Sequence, residues 1–323
     1  MALPRIYTNE TAAREHLETL LWPDGPICPH CGVVNEATLL QGKSTRPGVW
    51  KCRPCQKPFS VTVGTVFERS KIALHLWVYA TDQYTASKKG FSAHQLHRTL
   101  GVTYKTAWFM AHRIREAMKD TTGPKATPLG GEGKVVEADE LYYGTRETPR
   151  VSPQRLGRPY TKKGKAANKR VILGLVERGG NVRTFLINDA TTASIAYVVR
   201  QNVSRESALQ TDEHKSYISL GQEFKGGHQT VFHGKKEYVR READRLVTTN
   251  TIENVFSVFK RGMKGVYQHC GEAHLHRYLA EFDFRYNRRA SLGIGDKERG
   301  RDALKGISGK RLTYRRPDSS ANA

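Results

Sequence analysis

The sequence lacks any apolar run near the ~20 residues that a helix needs to span a bilayer. Residues 1–25 include acidic side chains and contain neither a continuous apolar segment nor the cleavage site of a secretory signal. We therefore expect a cytosolic protein that has no membrane partner.

Acidic residues are scarce beside basic ones, 31 against 53, which leaves a formal net charge of +22. Solubility does not require such an imbalance, and it points to a polyanionic partner, most often nucleic acid. Hydrophobic residues make up only 38% of the chain, yet 4 Trp, 14 Tyr and 11 Phe argue against wholesale disorder. A chain of 323 residues can form two or three domains with a substantial core.

Cysteine is also rare, but four of the five cysteines form two C-x-x-C pairs, Cys28 with Cys31 and Cys52 with Cys55. Each pair can present two thiolates to one ion, and two pairs complete a closed, structural Zn²⁺ site. Residues 37–40 and 48–51 have the pattern of short strands around a turn, so we predict a zinc ribbon. The alternating pattern at 59–67 predicts one further strand.

Two short helical patterns at 92–100 and 104–115 flank a turn that contains Gly101. This arrangement is typical of a helix-turn-helix, in which the start of the second helix enters a major groove. The alternative is an ordinary helical hairpin, and the positive charge of the chain favours DNA binding. The predicted DNA-contacting residues of this module are Thr103, Tyr104, Lys105 and Arg113.

A strongly basic segment follows a short Gly- and Pro-containing linker. Residues 144–170 contain nine Lys and Arg but only one acidic residue, Glu147. Their Gly, Pro and Ser content predicts a mobile loop, and their charge predicts contacts with phosphate through Lys162, Lys163 and Lys165. A loop that is merely solvated is the alternative.

From about residue 132 the pattern indicates an α/β domain. The predicted elements are a strand at 134–143, a hairpin of strands at 170–177 and 182–187, a helix at 191–203, and a strand at 208–214. This order matches the ribonuclease-H-like plan, a mixed sheet with flanking helices in which the first and fourth strands are neighbours. Asp139 on the first strand and Asp212 on the fourth would then approach each other.

The segment Asn250–Gly262 predicts an amphipathic helix whose apolar stripe begins at Ile252. Glu253 and Lys260 fall on the edge of that stripe, whereas Asn254 points the other way. Glu253 has two interpretations: it completes a capping box with Asn250, or it faces a site shared with the two aspartates.

Three carboxylates that converge in this way would suit two Mg²⁺ or Mn²⁺ ions, because hard cations prefer oxygen ligands. The pattern alone leaves other ligands open. Glu137, Glu140 and Glu213 flank the two aspartates, and each could be a ligand or a surface charge.

Several longer runs occur in a fixed order along nearly the whole chain. They are W-P-D-G-x-x-C-P-H-C-G at 22–32, F-S-V-T-V-G-T-V-F at 59–67, A-D-E-L-Y-Y-G at 138–144, T-D-E-H-K-S-Y at 211–217, H-G-K-K-E-Y-V-R at 233–240, N-T-I-E-N-V-F-S-V-F-K-R-G at 250–262, F-R-Y-N-R-R at 284–289 and G-K-R-L-T-Y-R at 309–315. With these runs the chain resembles the zinc-ribbon insertion-sequence transposases of the ISXO type, whose integrase domain is ribonuclease-H-like.

The resemblance implies a DDE-type site with Asp139 and Asp212 as its first two catalytic acids. It places the third in the N-T-I-E-N run, where helical geometry favours Glu253 because Asn254 points away, while Asn250 lies near and stays an alternative. Lys260 is the implied downstream basic residue, and we expect Arg261 beside it to contact phosphate as well.

The implied activity is metal-dependent cleavage at terminal inverted repeats, followed by transfer of the 3′-OH into target DNA. At least a dimer on double-stranded DNA is expected, in the bacterial cytosol and associated with the nucleoid. A catalytically inert DNA-binding regulator and another ribonuclease-H-like nuclease remain alternatives. The expected domains are 1–69 (helix and ribbon), 70–122 (helix-turn-helix-like), 132–290 (catalytic) and 291–323 (basic tail).

Overall fold

The computed structural model describes residues 3–119, 127–148, 168–242 and 245–313. The chain divides into two compact units, Met1–Asp120 together with Arg288–Ala323, and Thr121–Asn287. Across the described ranges, no helix is both long and apolar enough to cross a membrane.

The first unit begins with helix α1 (Glu10–Leu21), capped by the side chain of Asn9, which accepts a hydrogen bond from the Ala12 amide at 2.9 Å. Three short antiparallel strands follow in the order β1 (Ala37–Leu39), β2 (Trp50–Cys52) and β3 (Pro58–Phe59). They form the predicted ribbon around a small core of Cys28, Cys52 and Phe59, and Trp22 and Trp50 pack against that core.

The strand predicted at 59–67 is wrong beyond its first residue, because β3 ends at Phe59. The next residues form turns, and Gly64 adopts a φ of +74° that is incompatible with a strand. Thr65, Val66 and Phe67 are all buried although they are consecutive, and the Val66 amide donates to the carbonyl of Ile307 at 3.1 Å. These residues are therefore buried by tertiary contacts on several sides, and not on alternate sides as they would be in a strand.

The remaining helices of this part of the chain are α2 (Leu74–Ala86), α3 (Ala93–Leu100) and α4 (Tyr104–Met118). Helices α3 and α4 pack on each other around Gly101, whose φ is +66°. The predicted pair of helices around a glycine turn is confirmed.

The second unit is a mixed sheet with helices on both faces. Its elements are β4 (Val135–Tyr143), β5 (Arg170–Glu177), β6 (Val182–Ile187), α5 (Thr192–Asn202), β7 (Ala208–Asp212), α6 (Tyr217–Gly221), β8 (His228–Val231), β9 (Val239–Glu242), β10 (Arg245–Thr248), α7 (Asn250–Gly262) and α8 (Leu275–Asn287). The sheet order is β6-β5-β4-β7-β8. Strands β6, β5 and β4 are antiparallel neighbours, and β7 and β8 run parallel to β4. The predicted ribonuclease-H-like plan is confirmed.

Alternate residues of the sheet face two separate cores. Val136, Ala138 and Leu209 pack in the core that contains residues of α5 and α6. Leu141 and Ile172 pack in the core that contains residues of α7 and α8. Because side chains alternate along a strand, Asp139 and Asp212 belong to the face that α7 covers.

Gly174 lets α7 lie close to this face. A Cβ added at Gly174 would come within 2.5 Å of Ile252 Cδ1 and 2.7 Å of Phe256 Cζ. Gly174 is also the residue that pairs with Asp139 across β4 and β5. The missing side chain therefore brings the start of α7 down beside Asp139.

After α8 the chain returns to the first unit, where α9 (Asp296–Lys305) packs against α2. Arg299 is buried there, and its guanidinium donates to the carbonyl of Thr85 at 3.2 Å.

Candidate active site

Two parallel strands bring the predicted aspartates together. Glu137 on β4 is paired with Gln210 on β7, and Asp139 and Asp212 each lie two residues further along their strands. Asp212 is the last residue of β7, so it lies where that strand leaves the sheet. Both aspartates are partly buried.

The electrostatics of Asp139 show which acids surround it. Burial raises the pKa of Asp139 to about 7, and the negative charges of Asp212, Glu140 and Glu253 add to the effect in that order. Burial and the three negative neighbours disfavour the carboxylate form of Asp139, and a bound cation would stabilise that form. Asp212 and Glu253, the other two sequence-predicted acids, are therefore both close enough for their charges to act on Asp139.

Glu253 lies in the first turn of α7, and 43% of its side chain is exposed. Its Oε1 lies 3.2 Å from Nε2 of His233 and 3.3 Å from Oγ1 of Thr249. The predicted capping by Asn250 is wrong, because Thr249 is the N-cap residue and Asn250 is the first residue of the helix. Glu253 therefore forms no capping box with Asn250; its carboxylate accepts a hydrogen bond from the hydroxyl of the N-cap residue Thr249 instead.

The start of α7 is capped by Glu137 instead. Its carboxylate accepts hydrogen bonds from the amides of Thr251 and Ile252, at 2.8 and 3.0 Å. From the sequence, Glu137 is either a metal ligand or a surface charge; neither interpretation fits a side chain that is 0% exposed and bound to a helix terminus.

The other two flanking acids also take separate positions. Glu140 is adjacent to Asp139 and so points to the opposite face, where it accepts a hydrogen bond from the hydroxyl of buried Tyr217. Burial raises the pKa of Glu140 to about 7, and the negative charge of Asp212 adds to this. Glu213 is exposed and accepts hydrogen bonds from the amides of His233 and Gly234, at 2.7 and 2.8 Å.

Sequence reasoning missed Tyr217 and His233 as neighbours of the acids. Both lie in runs that carry the family resemblance, T-D-E-H-K-S-Y and H-G-K-K-E-Y-V-R. Membership in these runs is the sequence feature that could have identified them as residues near the site. His233 begins a short 3-10 helix after β8, twenty residues before Glu253, so local spacing does not reveal the contact.

The basic residues of α7 lie at its far end. Lys260 and Arg261 are both exposed, and Arg261 Nε donates to the carbonyl of Ser257 at 3.3 Å. Lys260 follows Glu253 by two helical turns, about 10 Å along the axis. Lys260 and Glu253 therefore lie on the same side of α7.

A metal at the acids would need oxygen ligands, and the residues present fit that need. Three carboxylates form the donor set that Mg²⁺ and Mn²⁺ prefer. Among the residues described by the structure, only the four cysteines form a group of three or more potential ligands whose donor atoms all lie within 4.8 Å. In at least one pair among Asp139, Asp212 and Glu253, the carboxylate oxygens therefore lie more than 4.8 Å apart.

The cysteine cluster is compact. Cys28 Sγ lies 3.7 Å from Cys55 Sγ, and Cys31 Sγ lies 3.6 Å from Cys52 Sγ. Four thiol ligands leave no open position on a tetrahedral ion. The arrangement is that of a structural zinc site, as predicted.

Three of the predicted DNA-contacting residues lie together at the start of α4. Thr103, Tyr104 and Lys105 are exposed, and the Thr103 hydroxyl caps the helix by accepting a hydrogen bond from the Thr106 amide at 3.2 Å. The ring of Tyr104 is 43% exposed and stacks on His94 with centroids 4.2 Å apart.

Arg113 does not share that surface position. Its guanidinium donates to the carbonyls of Glu68 and Leu312 at 3.2 and 3.3 Å and lies over the ring of Phe109. Burial lowers its pKa. These contacts give Arg113 a structural role, so its predicted contact with DNA is not supported. Lys162, Lys163 and Lys165 lie outside the described residues.

Comparison with known proteins places these features in a family. The model of the ISXO2-like transposase domain matches residues 128–287, and that of the transposase zinc-ribbon domain matches residues 8–58. Together they cover about two thirds of the chain. An uncharacterized protein in the transposable element ISH50 of Halobacterium salinarum is 28% identical over 287 residues, which cover 87% of this chain and 92% of that protein.

Similarity to solved structures is weaker. A chain of the simian T-cell lymphotropic virus intasome, solved with PP2A regulatory subunit B56 gamma, matches with 11% identity and a TM-score of 0.28. The match covers 58% of this chain and 63% of that chain, somewhat less than two thirds of its length. The Mos1 strand transfer complex matches with 11% identity and a TM-score of 0.28, over 67% of this chain and 70% of the other.

Neither superposition is close enough to bear on the site, and the assignment rests on the two domain matches. They cover the zinc ribbon and the ribonuclease-H-like domain, in the order in which the structure contains them. The chain belongs to the ISXO2-like insertion-sequence transposases and carries their zinc ribbon.

Proposed function

We propose that this transposase cleaves DNA at the terminal inverted repeats of its own element and joins the freed 3′-OH to target DNA. One observation carries the proposal. Adjacent parallel strands present Asp139 and Asp212 on the face covered by α7, whose first turn carries Glu253. The negative charges of Asp212 and Glu253 both act on Asp139, which supports a shared site.

Asp139, Asp212 and Glu253 would hold two Mg²⁺ or Mn²⁺ ions. When bound, such ions stabilise the attacking and the leaving oxygens of a phosphodiester in turn. His233 lies against the Glu253 carboxylate at 3.2 Å and would hold it in place. Glu253 is favoured over Asn254 and Asn250 as the third ligand, since its charge acts on Asp139 and a carboxylate binds Mg²⁺ better than an amide.

Lys260 and Arg261 would bind backbone phosphates beside the reacting one. Both are exposed on the last turn of α7. Fixed positive charge near a phosphodiester offsets the negative charge that develops as the bond breaks. The reaction needs no covalent protein–DNA intermediate, so it needs no Ser or Tyr nucleophile.

Recognition of the element ends would involve the first unit. Thr103, Tyr104 and Lys105 are exposed at the start of α4, the end of a recognition helix that contacts base edges. The net charge of +22 supports a DNA partner throughout. Lys162, Lys163 and Lys165 are proposed phosphate contacts on charge alone.

Joining two ends requires that they be held together, so we propose at least a dimer on DNA. The functional division at 1–69, 70–122, 132–290 and 291–323 is part of the same proposal.

The test is a strand-transfer assay with the full chain. The substrate is a labelled duplex that carries an element end, identified by inverted repeats in the DNA flanking the gene, and the target is a supercoiled plasmid. Joined product in Mg²⁺ or Mn²⁺ but not in EDTA would support a transposase. Cleavage without joining would favour a nuclease of the same fold, and end binding without either would favour an inert regulator.

A further inference from the structure

Glu137 is a fully buried carboxylate that the proposed reaction does not use. Its Oε2 accepts hydrogen bonds from the amides of Thr251 and Ile252 at 2.8 and 3.0 Å. Its Oε1 accepts one from the hydroxyl of Thr251 at 2.8 Å. These amides belong to the first turn of α7 and have no hydrogen-bond acceptor within the helix. A negative charge is favourable there because the N-terminus of a helix carries partial positive charge.

Arg178 and Gln210 complete a polar layer with Glu137. Arg178 donates to Glu137 Oε1 from Nε at 3.1 Å and from Nη2 at 2.7 Å. Nη2 also donates to Oε1 of Gln210 at 2.7 Å, and the same oxygen accepts a hydrogen bond from the Thr248 amide at 3.0 Å. We use the name polar layer for Glu137, Arg178 and Gln210.

The polar layer contacts each element that carries a proposed metal ligand. Glu137 lies on β4 two residues before Asp139, and Gln210 lies on β7 two residues before Asp212. Arg178 donates to the carbonyls of Leu246 and Thr248, at 2.8 and 3.1 Å, just before α7 begins. One connected set of hydrogen bonds therefore joins both strands to the start of the helix.

We infer that Glu137 is a positioning residue for the metal site. It fixes the height and rotation of the first turn of α7 against β4, and so places Glu253 relative to Asp139 and Asp212. It acts through the helix and does not itself bind the metal. Charge-assisted hydrogen bonds suit this role because they are shorter and stronger than neutral ones. The inference rests on the proposed function, since it assumes that the three acids bind metal.

The test is binding of Mn²⁺ to the full chain with its zinc site filled, followed through the electron paramagnetic resonance signal of free Mn²⁺. Glu137→Gln keeps the size of the side chain but removes its charge. It is expected to weaken Mn²⁺ binding at least about tenfold, the range found for residues that orient metal ligands. Glu281→Gln is the matched control, because Glu281 is also 0% exposed and paired with an arginine, Arg285 on α8. That variant is expected to bind Mn²⁺ within about twofold of the wild type, since Glu281 accepts hydrogen bonds from Tyr267 and Arg285, neither of which belongs to the first turn of α7.

A second measurement separates positioning from general loss of structure. Amide hydrogen exchange at 249–255 is expected to speed up in Glu137→Gln and to stay unchanged in Glu281→Gln. Thr251→Val removes only the hydroxyl donor, so it keeps the inference testable should Glu137→Gln not fold. It is expected to weaken Mn²⁺ binding about threefold.

Asp139→Asn distinguishes failure of the inference from failure of the proposed function. Mn²⁺ binding that is unaffected by Asp139→Asn would overturn the proposed metal site. Binding that Asp139→Asn abolishes but that Glu137→Gln and Thr251→Val leave at the wild-type level would overturn the inference alone.

Discussion

Glu137 on β4 lies directly opposite Gln210 on β7, and each precedes a proposed catalytic aspartate by two residues. Side chains two residues apart on a strand share a face. Asp139 therefore lies on the same face of the sheet as Glu137, and Asp212 on the same face as Gln210. The active-site geometry therefore depends on strand register as well as on the acids themselves. A one-residue slip between β4 and β7 would separate the two aspartates.

Gly174→Ala tests how closely α7 must approach the sheet. The added Cβ would meet Ile252 and Phe256 at less than 3 Å, so the helix must shift away from Asp139. We expect a loss of about 1–3 kcal/mol in the free energy of unfolding and a larger loss in cleavage than in DNA binding. Gly265→Ala is the control, because a Cβ there meets nothing within 4 Å. Wild-type stability and cleavage in Gly174→Ala would show that the close approach is not needed.

The identity of the third ligand is tested by exchanging adjacent residues of α7. Glu253→Gln keeps the size of the side chain and removes the charge that acts on Asp139, so cleavage in Mg²⁺ should fall at least about a hundredfold. Asn254→Ala should leave the cleavage rate within about threefold, since that side chain is exposed. The reverse pattern, with Asn254→Ala inactive and Glu253→Gln active, would transfer the role to the asparagine.

Removal of zinc should unfold the ribbon. The core of this module is small, Cys28, Cys52 and Phe59 with the two tryptophans against it, so the metal supplies much of its folding free energy. We expect one zinc per chain by elemental analysis, lost in Cys52→Ser and kept in Cys270→Ser. Chelation should change the fluorescence of Trp22 and Trp50, whose rings lie 6.3 Å apart in an edge contact. Equal zinc content in the two cysteine variants would contradict the assignment.

Stability should depend on pH through His228. Burial lowers the pKa of His228, whose Nε2 lies 2.9 Å from Oγ1 of Thr211. The unfolded chain then binds the proton more readily than the folded one, so stability is lost as the pH falls below the ordinary histidine pKa of about 6.5. His228→Gln should lose less stability than the wild type between about pH 7.5 and about pH 5.5, measured by urea unfolding. An identical pH dependence in the two proteins would show that His228 does not contribute.

Six elements of the second unit could be predicted from sequence to within two residues at each end, namely β4, β5, β6, α5, β7 and α7, whereas α6, β8, β9 and β10 were not predicted. The strands Arg170–Glu177 and Val182–Ile187 are mostly apolar runs separated by a turn at Gly179 and Gly180, and such local patterns predict both the type and the length of an element. The segment 59–67 has the alternation of a strand, yet it forms turns because buried partners on several sides replace a sheet neighbour. Alternation identifies a possible strand but not whether a second strand is there to pair with it.

The site was less predictable than the fold. Strand alternation predicts that Glu137 and Asp139 share a face, but it does not predict that one caps a helix while the other faces Asp212. The capping amides at Thr251 and Ile252 are more than a hundred residues from Glu137, so local spacing suggested Asn250 as the cap instead. Arg113 likewise lies on the predicted helix, and only its contacts with Glu68 and Leu312 reveal its structural role.

We propose that Asp139 and Asp212 carry out the chemistry while other parts of the chain bind the DNA. The direct measurement is strand transfer of a labelled element end by Asp139→Asn and by Asp212→Asn, with end binding measured on the same preparations. Each variant should lose at least about a thousandfold in cleavage and joining and should bind the ends within about threefold of the wild type. Cleavage at the wild-type rate by either variant would contradict the account.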